Sequence, residues 1–188
     1  EGYRVLQASD GVEGWEMVQR FPLDLVLSDI DMPRLDGWGL LRYLRGDLRT
    51  RELPVVLLSA YEDMVMTLRA AKAGARAYLK KTGRSRELLD AVALLTGPRQ
   101  RAWVAARNHA SFNFEVKAIG AAWVLELLGE LDCQGRMLID DATARYELVV
   151  REGKLIDITA QAGSLRSDGP MALEAYLTCH GRGSFRFE

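Results

Sequence analysis

The sequence has few of the residues on which zinc sites and many hydrolytic sites depend. It contains two cysteines and two histidines among 188 residues, and Cys133 and Cys179 lack the spacing of a zinc or C-x-x-C redox site. The pair Asp140-Asp141 is typical of a turn and the pair Cys179-His180 lacks partner ligands, so we assign both to structure. No Ser-His-Asp or Cys-His set can be placed. We therefore expect buried, reduced thiols and no catalytic role for the chain.

The chain also lacks a marked net charge and a long apolar run. Its 25 basic and 26 acidic side chains give a net charge of -1, which provides no general attraction to nucleic acid or to an anionic membrane. No stretch has the length and hydrophobicity of a membrane-spanning helix. The hydrophobic content of 48% suffices for two modest cores. These features predict a cytoplasmic protein of two domains, with no membrane partner.

The most informative segment that is present, residues 25–37, is an apolar strand that ends in a carboxylate. Asp29 is the first charged residue after the uncharged run 25–28, and in an open α/β sheet the chemistry lies beyond the carboxyl ends of the strands. A carboxylate placed there can act as a nucleophile. Pro33 cannot continue a strand ladder, and Asp36-Gly37 is a turn sequence. Asp29 is therefore a candidate phosphoryl acceptor beneath a loop.

Three further matches follow in the order found in response-regulator receiver domains, which residues 1 to about 95 resemble. Ser59 follows the apolar strand 55–58 and matches the hydroxyl residue that contacts the phosphoryl group, while Tyr78 matches the switch aromatic and Lys81 the phosphate-binding lysine. The resemblance implies a flavodoxin-like α/β fold with a parallel sheet of order 2-1-3-4-5. It also implies that a histidine kinase or phosphotransfer protein phosphorylates Asp29 in a phosphorelay.

The sequence departs from the family at two places. Thr82 stands where receivers usually have a proline after a cis peptide; because a cis bond before another residue costs about 3 kcal/mol, we expect a trans or strained loop. Residues 1–8 resemble the second strand, so we expect the first strand and helix to lie upstream of a fragment. In the family that strand carries an acidic pair that helps to hold Mg²⁺, and Asp29 with the backbone carbonyl of Asp31 would complete the site.

Apolar periodicity predicts helices between these strands. Their faces are marked by Val12, Trp15 and Val18, by Trp38, Leu41 and Leu44, and by Met64 and Leu68, with this third helix ending near Gly74. Ser85 is a candidate N-cap for a fourth helix, residues 86–95, which Thr96-Gly97-Pro98 would end. Residues 96–110 then form a linker, whose basic part, 99–108, is either solvated or a helical extension.

A second domain of α+β type is predicted for residues 111–188. Strands are expected at 112–114, 135–139, 146–150, 155–159 and 183–187, helices at 119–128 and 171–177, and a tight hairpin at Glu152-Gly153. Phe112-x-Phe114, Gln134-Gly-Arg136, 151–156 and 183–188 resemble the domain of unknown function 4388 (DUF4388), which is related to the PATAN domain that often accompanies receivers. The resemblance implies a non-catalytic interaction module with a protein partner.

Several interpretations stay open at this point. Ser59 could simply satisfy a strand-end backbone group, and Tyr78 could simply pack. Neighbouring side chains on a strand point oppositely, so only one of Lys80 and Lys81 should face the phosphate, and the register favours Lys81. Rival functions are a phosphate-independent pseudo-receiver scaffold and a haloacid-dehalogenase-like phosphatase that uses Asp29 and Asp31. Nucleic acid is a weaker candidate partner, because no basic recognition helix is present. The sequence leaves a homodimer open.

Overall fold

The structure is a computed structural model that describes residues 2–61, 63–81 and 85–188, and it divides the chain into two compact units, 1–96 and 97–188. The peptide bond before Thr82 and the capping side chain of Ser85 fall outside what it describes. None of the helices in these ranges is both long enough and apolar enough to cross a membrane.

The first unit alternates helices and strands. Its elements are α1 (Gly11–Arg20), β1 (Val26–Asp29), α2 (Gly37–Gly46), β2 (Val55–Ser59), α3 (Met64–Lys72), β3 (Ala77–Lys80) and the beginning of α4 (Ser85–Arg107). The three strands pair in parallel in the order β1-β2-β3. They correspond to the third, fourth and fifth strands of the expected order, so the predicted flavodoxin-like α/β class with a parallel sheet is confirmed.

Helices α1, α2 and α3 begin at aspartates. The faces that the periodicity marked are buried in α1 and α2, but the face predicted for α3 is wrong, because Met64 and Leu68 are 81% and 60% exposed. The carboxylates of Asp10, Asp36 and Asp63 accept hydrogen bonds from backbone N–H groups in the first turns of α1, α2 and α3. Leu41 and Leu44 of α2 pack with the central strand β2 in one core. Val55 and Leu57 of that strand are fully buried. The core thus holds β2 in place and with it the two strand ends on either side.

The expected second strand at residues 1–8 is wrong, because residues 2–8 are not a strand in this structure. Tyr3 and Val5 are 49% and 72% exposed. A strand needs a neighbour for its N–H and C=O groups, and no described strand lies beyond β1, which is an edge of the sheet. The resemblance of this segment to a second strand is therefore not sufficient to make it one.

The predicted helix end at Thr96-Gly97-Pro98 is also wrong, since α4 continues from Ser85 to Arg107. Pro98 removes one backbone hydrogen bond, but the turns that follow it are anchored in the second unit. The Arg99 Nε donates a 2.9 Å hydrogen bond to the carbonyl of Ile119, and Ala102 and Ala106 lie in a buried core. Most of the expected linker is thus helical, so residues 99–108 are the helical extension that the sequence left open as one interpretation.

The second unit joins the end of α4 to a six-stranded antiparallel sheet of order β4-β9-β5-β6-β7-β8. Its elements are β4 (Phe112–Glu115), α5 (Val116–Ile119), α6 (Ala121–Glu130), β5 (Gly135–Asp140), β6 (Arg145–Arg151), β7 (Lys154–Ala162), β8 (Leu165–Asp168), α7 (Gly169–Leu177) and β9 (Arg182–Phe187). β9 lies between β4 and β5 and pairs with both. The core contains the fully buried side chains Met137, Leu148, Tyr176 and Phe185.

Turns in the second unit follow its glycines. The hairpin at Glu152-Gly153 is confirmed, with φ values of 47° and 68° that suit a two-residue turn. The helix expected at 119–128 is α6, which begins only at Ala121, because Gly120 has a φ of 89° and separates it from the short helix α5. β8 was not expected from the sequence, since its residues, Leu-Arg-Ser-Asp, are mostly polar and few.

Candidate functional site

Asp29 lies at the carboxyl end of β1, beside the central strand. It faces Leu58 of β2 in the parallel register, and the next residue, Ile30, donates its N–H to the carbonyl of Leu58 at 3.1 Å. The Asp29 side chain is 33% exposed. The carboxylate is therefore held at a fixed place on the sheet edge but stays open to an incoming group.

Lys81 reaches Asp29 from the end of β3. Its backbone N–H donates a 2.7 Å hydrogen bond to the carbonyl of Ser59, which places it beside the end of β2. Its Nζ lies 2.5 Å from the Oδ2 of Asp29. The structure thus brings together the predicted acceptor and the predicted lysine. Of the adjacent residues Lys80 and Lys81, it is Lys81 that makes this contact.

The surroundings of Asp29 favour its ionised form. Partial burial raises the pKa of the carboxyl, but the hydrogen bond from Lys81 and the N–H of Asp31 lower it, so the pKa lies below its ordinary value. The Asp31 N–H donates to the Oδ1 of Asp29 at 3.1 Å. Asp29 is consequently a carboxylate at neutral pH, which is the form that can attack phosphorus.

Ser59 ends β2 and is buried, at 8% exposure. Its Oγ accepts a 3.1 Å hydrogen bond from the backbone N–H of Tyr61. The structure therefore shows the backbone-satisfying role that the sequence left open as one alternative. The role of the Ser59 hydroxyl as a phosphate contact stays a prediction.

Tyr78 lies in β3, opposite Leu57 of β2. Its side chain is half-buried and packs against the core of the first unit. This is the packing role that the sequence also allowed for a strand tyrosine. The switching role of Tyr78 stays a prediction.

The loop after Asp29 is drawn tightly over the strand end. The N–H of Gly37 donates to the carbonyl of Ile30 at 3.0 Å, and the Oδ1 of Asp36 accepts from the N–H of Gly39 at 2.6 Å. Together these two hydrogen bonds hold the first turn of α2 beside the end of β1. Residue 37 must be small at this place, because an added Cβ would lie 2.3 Å from the carbonyl oxygen of Asp29.

The sequence reasoning missed an ion pair that ties this loop to α1. Asp10 is 4% exposed and caps α1, and it also accepts a 2.5 Å hydrogen bond from the Nε of Arg34. Arg34 adopts a left-handed φ of 59°, and Gly11 donates its N–H to the carbonyl of Leu35. The Asp10-Gly11 sequence before an apolar period was a signal for the cap, but the pairing with Arg34 depends on the fold.

Few groups at this place could hold a metal ion. The carboxylate of Asp29 and the backbone carbonyl of Asp31 are oxygen donors of the kind that Mg²⁺ prefers. Within residues 2–61, 63–81 and 85–188, no three His, Cys, Asp or Glu side chains form a metal-binding group. These residues can therefore supply part of a magnesium site, with water and phosphoryl oxygens as the remaining ligands.

The polar pairs that we assigned to structure in the second unit make local contacts. Asp141 accepts hydrogen bonds from the N–H of Ala142 at 2.5 Å and from the N–H of His180 at 3.0 Å. Asp140 pairs with Arg145 at 2.5 Å. Burial raises the pKa of the Cys179 thiol to about 11, so this thiol is protonated at neutral pH.

The comparison with protein families finds the response regulator receiver domain, whose family model matches residues 1–93. Among curated proteins, the gliding motility regulatory protein of Myxococcus xanthus is 40% identical over 80 residues, 43% of this chain and 10% of that protein. The response regulator MprA of Mycobacterium leprae is 41% identical over 96 residues, 50% of this chain and 40% of that protein. The chain thus spans less than half the length of these relatives.

A solved structure is similar to about half of the chain. The receiver domain of sensor histidine kinase PA1611 from Pseudomonas aeruginosa PAO1, described with a magnesium ion coordinated in the active site cleft, is 29% identical with a TM-score of 0.47. This similarity covers 51% of the present chain and 79% of that one.

Proposed function

Because residues 1–93 form a receiver domain of the response regulator family, we propose that the chain accepts a phosphoryl group on Asp29 and transmits this signal to its second unit. One observation carries the proposal: the ammonium of Lys81 lies 2.5 Å from the carboxylate of Asp29, at the carboxyl end of the parallel strand β1. A cation in that position is suited to the negative charge of an incoming phosphoryl group. The donor is a histidine kinase or phosphotransfer protein, and the reaction belongs to the cytoplasm.

Transfer is a substitution at phosphorus. A carboxylate oxygen of Asp29 forms the new P–O bond while the P–N bond of the donor's phosphohistidine breaks, and the departing imidazole nitrogen keeps the electron pair and takes up a proton. Lys81 shifts from its contact with the carboxylate to the phosphoryl oxygens. Before transfer, the lowered pKa of Asp29 keeps the attacking oxygen deprotonated.

Magnesium is the cofactor that the receiver family implies. In this chain the carboxylate of Asp29 and the backbone carbonyl of Asp31 would hold it, with water and phosphoryl oxygens as further ligands. When bound, the ion supplies positive charge that neutralises the phosphoryl oxygens.

The added charge is the signal. A phosphoryl group brings about -1.5 to -2 charges. The Ser59 hydroxyl, whose oxygen accepts a hydrogen bond from the Tyr61 N–H, would donate its O–H to a phosphoryl oxygen. Tyr78 packs against the core of the first unit, and its packing would change when Ser59 moves to the phosphoryl group. We assign the receiver to residues 1–95 and a DUF4388/PATAN-like, non-catalytic module that binds a protein partner to residues 111–188.

Intact-mass measurement after incubation with acetyl phosphate and Mg²⁺ tests the proposal. We expect one phosphoryl adduct on the chain and on the matched control Asp31→Asn, which keeps both the backbone carbonyl and Asp29. Asp29→Asn should show none. An equal adduct on Asp29→Asn would place the acceptor elsewhere, while no adduct on the folded chain would favour the phosphate-independent scaffold. Steady release of inorganic phosphate from a generic phosphomonoester would instead indicate the phosphatase.

A further inference from the structure

The outer edge of the second unit's sheet is formed by β8. Among the described residues this strand has β7 as its only neighbour. The two strands are joined by a two-residue turn, in which Gly163 has a φ of 61° at the first central position. Such turns are flanked by residues that exchange hydrogen bonds with each other. Ala162 and Leu165 are these flanking residues.

This register determines which backbone groups β8 presents to its open side. Hydrogen-bonded and non-hydrogen-bonded positions alternate along an antiparallel pair. Leu165 and Ser167 therefore direct their N–H and C=O groups towards β7, and Arg166 and Asp168 direct theirs outward. An exposed edge of this kind is a template for another strand.

The side chains of β8 are complementary to a second copy of themselves. If two β8 strands pair antiparallel with Ser167 facing Ser167, then Arg166 of each copy lies opposite Asp168 of the other, twice by symmetry. Arg166 and Asp168 are both exposed, and Asp168 makes no side-chain cap to α7. In this register the N–H of Asp168 faces the carbonyl of Arg166 of the other copy, while the carbonyl of Asp168, as the N-cap of α7, accepts the first hydrogen bond of that helix. Backbone and charge thus favour the same alignment.

Apolar groups flank the same edge. Leu165 is 76% exposed, and Met171, in the first turn of α7, is 74% exposed. The self-pairing register places Leu165 opposite Gly169, and a β-carbon on Gly169 would meet no atom within 4 Å. Gly169, the first residue of α7, thus presents no side chain to Leu165 of the other copy.

We propose that β8 is a homodimer interface, at which two copies of this chain join their six-stranded sheets into one continuous sheet by antiparallel β8 pairing. This surface is independent of Asp29 and Lys81. Opposite charges that face each other across strands stabilise pairing, and like charges destabilise it. The proposal therefore makes a charge-reversal test possible.

Sedimentation velocity of the full chain over about 1 µM to about 1 mM, a range that covers weak interfaces, is the test. The chain should show a concentration-dependent dimer. Arg166→Asp and Asp168→Arg each place like charges opposite each other twice, and we expect each to raise the dimer Kd about tenfold. The double variant should recover the original Kd, and an equimolar mixture of the two single variants should form heterodimers of similar strength.

Circular dichroism and thermal unfolding of each variant show whether the monomer is intact, as expected for exposed positions. A chain that stays monomeric throughout this range would overturn the proposal, including the case in which β8 instead pairs with a strand of a different protein. A dimer whose Kd is unchanged in both charge-reversal variants would also overturn the proposal, because the interface would then lie elsewhere. These outcomes do not depend on phosphoryl transfer, so they are separate from the test of Asp29.

Discussion

Gly37 lies so close to Asp29 that a β-carbon at residue 37 would be 2.3 Å from the Asp29 carbonyl oxygen. That contact is to backbone, which cannot move aside as a flexible side chain can. The start of α2 is therefore held against the end of β1 by the absence of a side chain. It follows that this glycine shapes the loop over the proposed phosphoryl acceptor.

We expect Gly37→Ala to lower the free energy of unfolding by about 1–3 kcal/mol, the usual cost of overpacking. It should also slow formation of the Asp29 adduct. Urea unfolding and the intact-mass assay measure the two effects. The matched control is Gly46→Ala at the other end of α2, where an added Cβ meets nothing within 4 Å, and we expect no loss there. Equal destabilisation by the two changes would contradict the close approach.

Replacing Lys81 by Met should raise the pKa of Asp29, since it removes the hydrogen bond and the charge that lower this pKa. A carboxyl with a lowered pKa stabilises the folded state above its unfolded pKa of about 3.9, and this contribution is lost as the pH falls through the folded pKa. Lys81→Met should therefore show a smaller loss of stability on acidification. Carbon-13 NMR titration of Asp29 measures the shift directly. Lys80→Met is the control, and an unchanged Asp29 pKa in Lys81→Met would contradict the contact.

Arg45 joins α2 to the turn before β3, and we expect Arg45→Met to cost about 1–3 kcal/mol of stability because a carbonyl loses its donors. Its Nε and Nη2 donate to the carbonyl of Gly74 at 3.1 Å and 2.8 Å. Burial lowers the pKa of this guanidinium to about 10, and nearby Arg76 acts in the same direction. Arg42→Met, on the exposed face of the same helix, should change stability by less than about 0.5 kcal/mol. Denaturant unfolding compares the two, and equal midpoints would contradict the assignment.

Pro98 and Pro170 form a natural pair for testing the continuity of α4. Pro98 lies inside that helix, whereas Pro170 lies in the first turn of α7, where the missing N–H has no helical partner in any case. Pro98→Ala should raise the free energy of unfolding by up to about 3 kcal/mol. Pro170→Ala should be neutral or slightly destabilising, since the unfolded chain gains freedom. No gain from Pro98→Ala in thermal unfolding would indicate that the helix is broken there.

Apolar patterns in the sequence predicted the helices and strands that bury one side in the core. The positions of α1, α2 and β2 were predicted within a few residues. Their buried residues are apolar and recur with the period of a helix or form an uncharged run. The resemblance to receivers implied that Lys81 lies at the phosphoryl site with Asp29, and strand alternation favoured Lys81 over Lys80; the structure shows the contact between the two side chains. In these cases a short-range signal and the tertiary structure agree.

The remaining features depend on contacts that a local pattern does not contain. Residues 2–8 resemble the second strand of a receiver but have no partner strand among the described residues. Pro98 is tolerated because Ala102 and Ala106 are buried in the second unit's core, which outweighs a local break signal. The pairing of Arg34 with Asp10 joins residues that only the folded loop brings together. Each of these outcomes was decided by tertiary contacts.

The position of β9 has a consequence for synthesis of the chain. β9 is the last strand of the second unit to leave the ribosome, yet it lies between β4 and β5 and contributes the fully buried Phe185. Until it emerges, β4 has no partner in the sheet and the core around Phe185 is open. The meander from β5 to β8 can form on the nascent chain, but the six-stranded sheet closes only after β9 has been translated. A ribosome that pauses before β9 would therefore hold an exposed apolar surface, which is a substrate for chaperones.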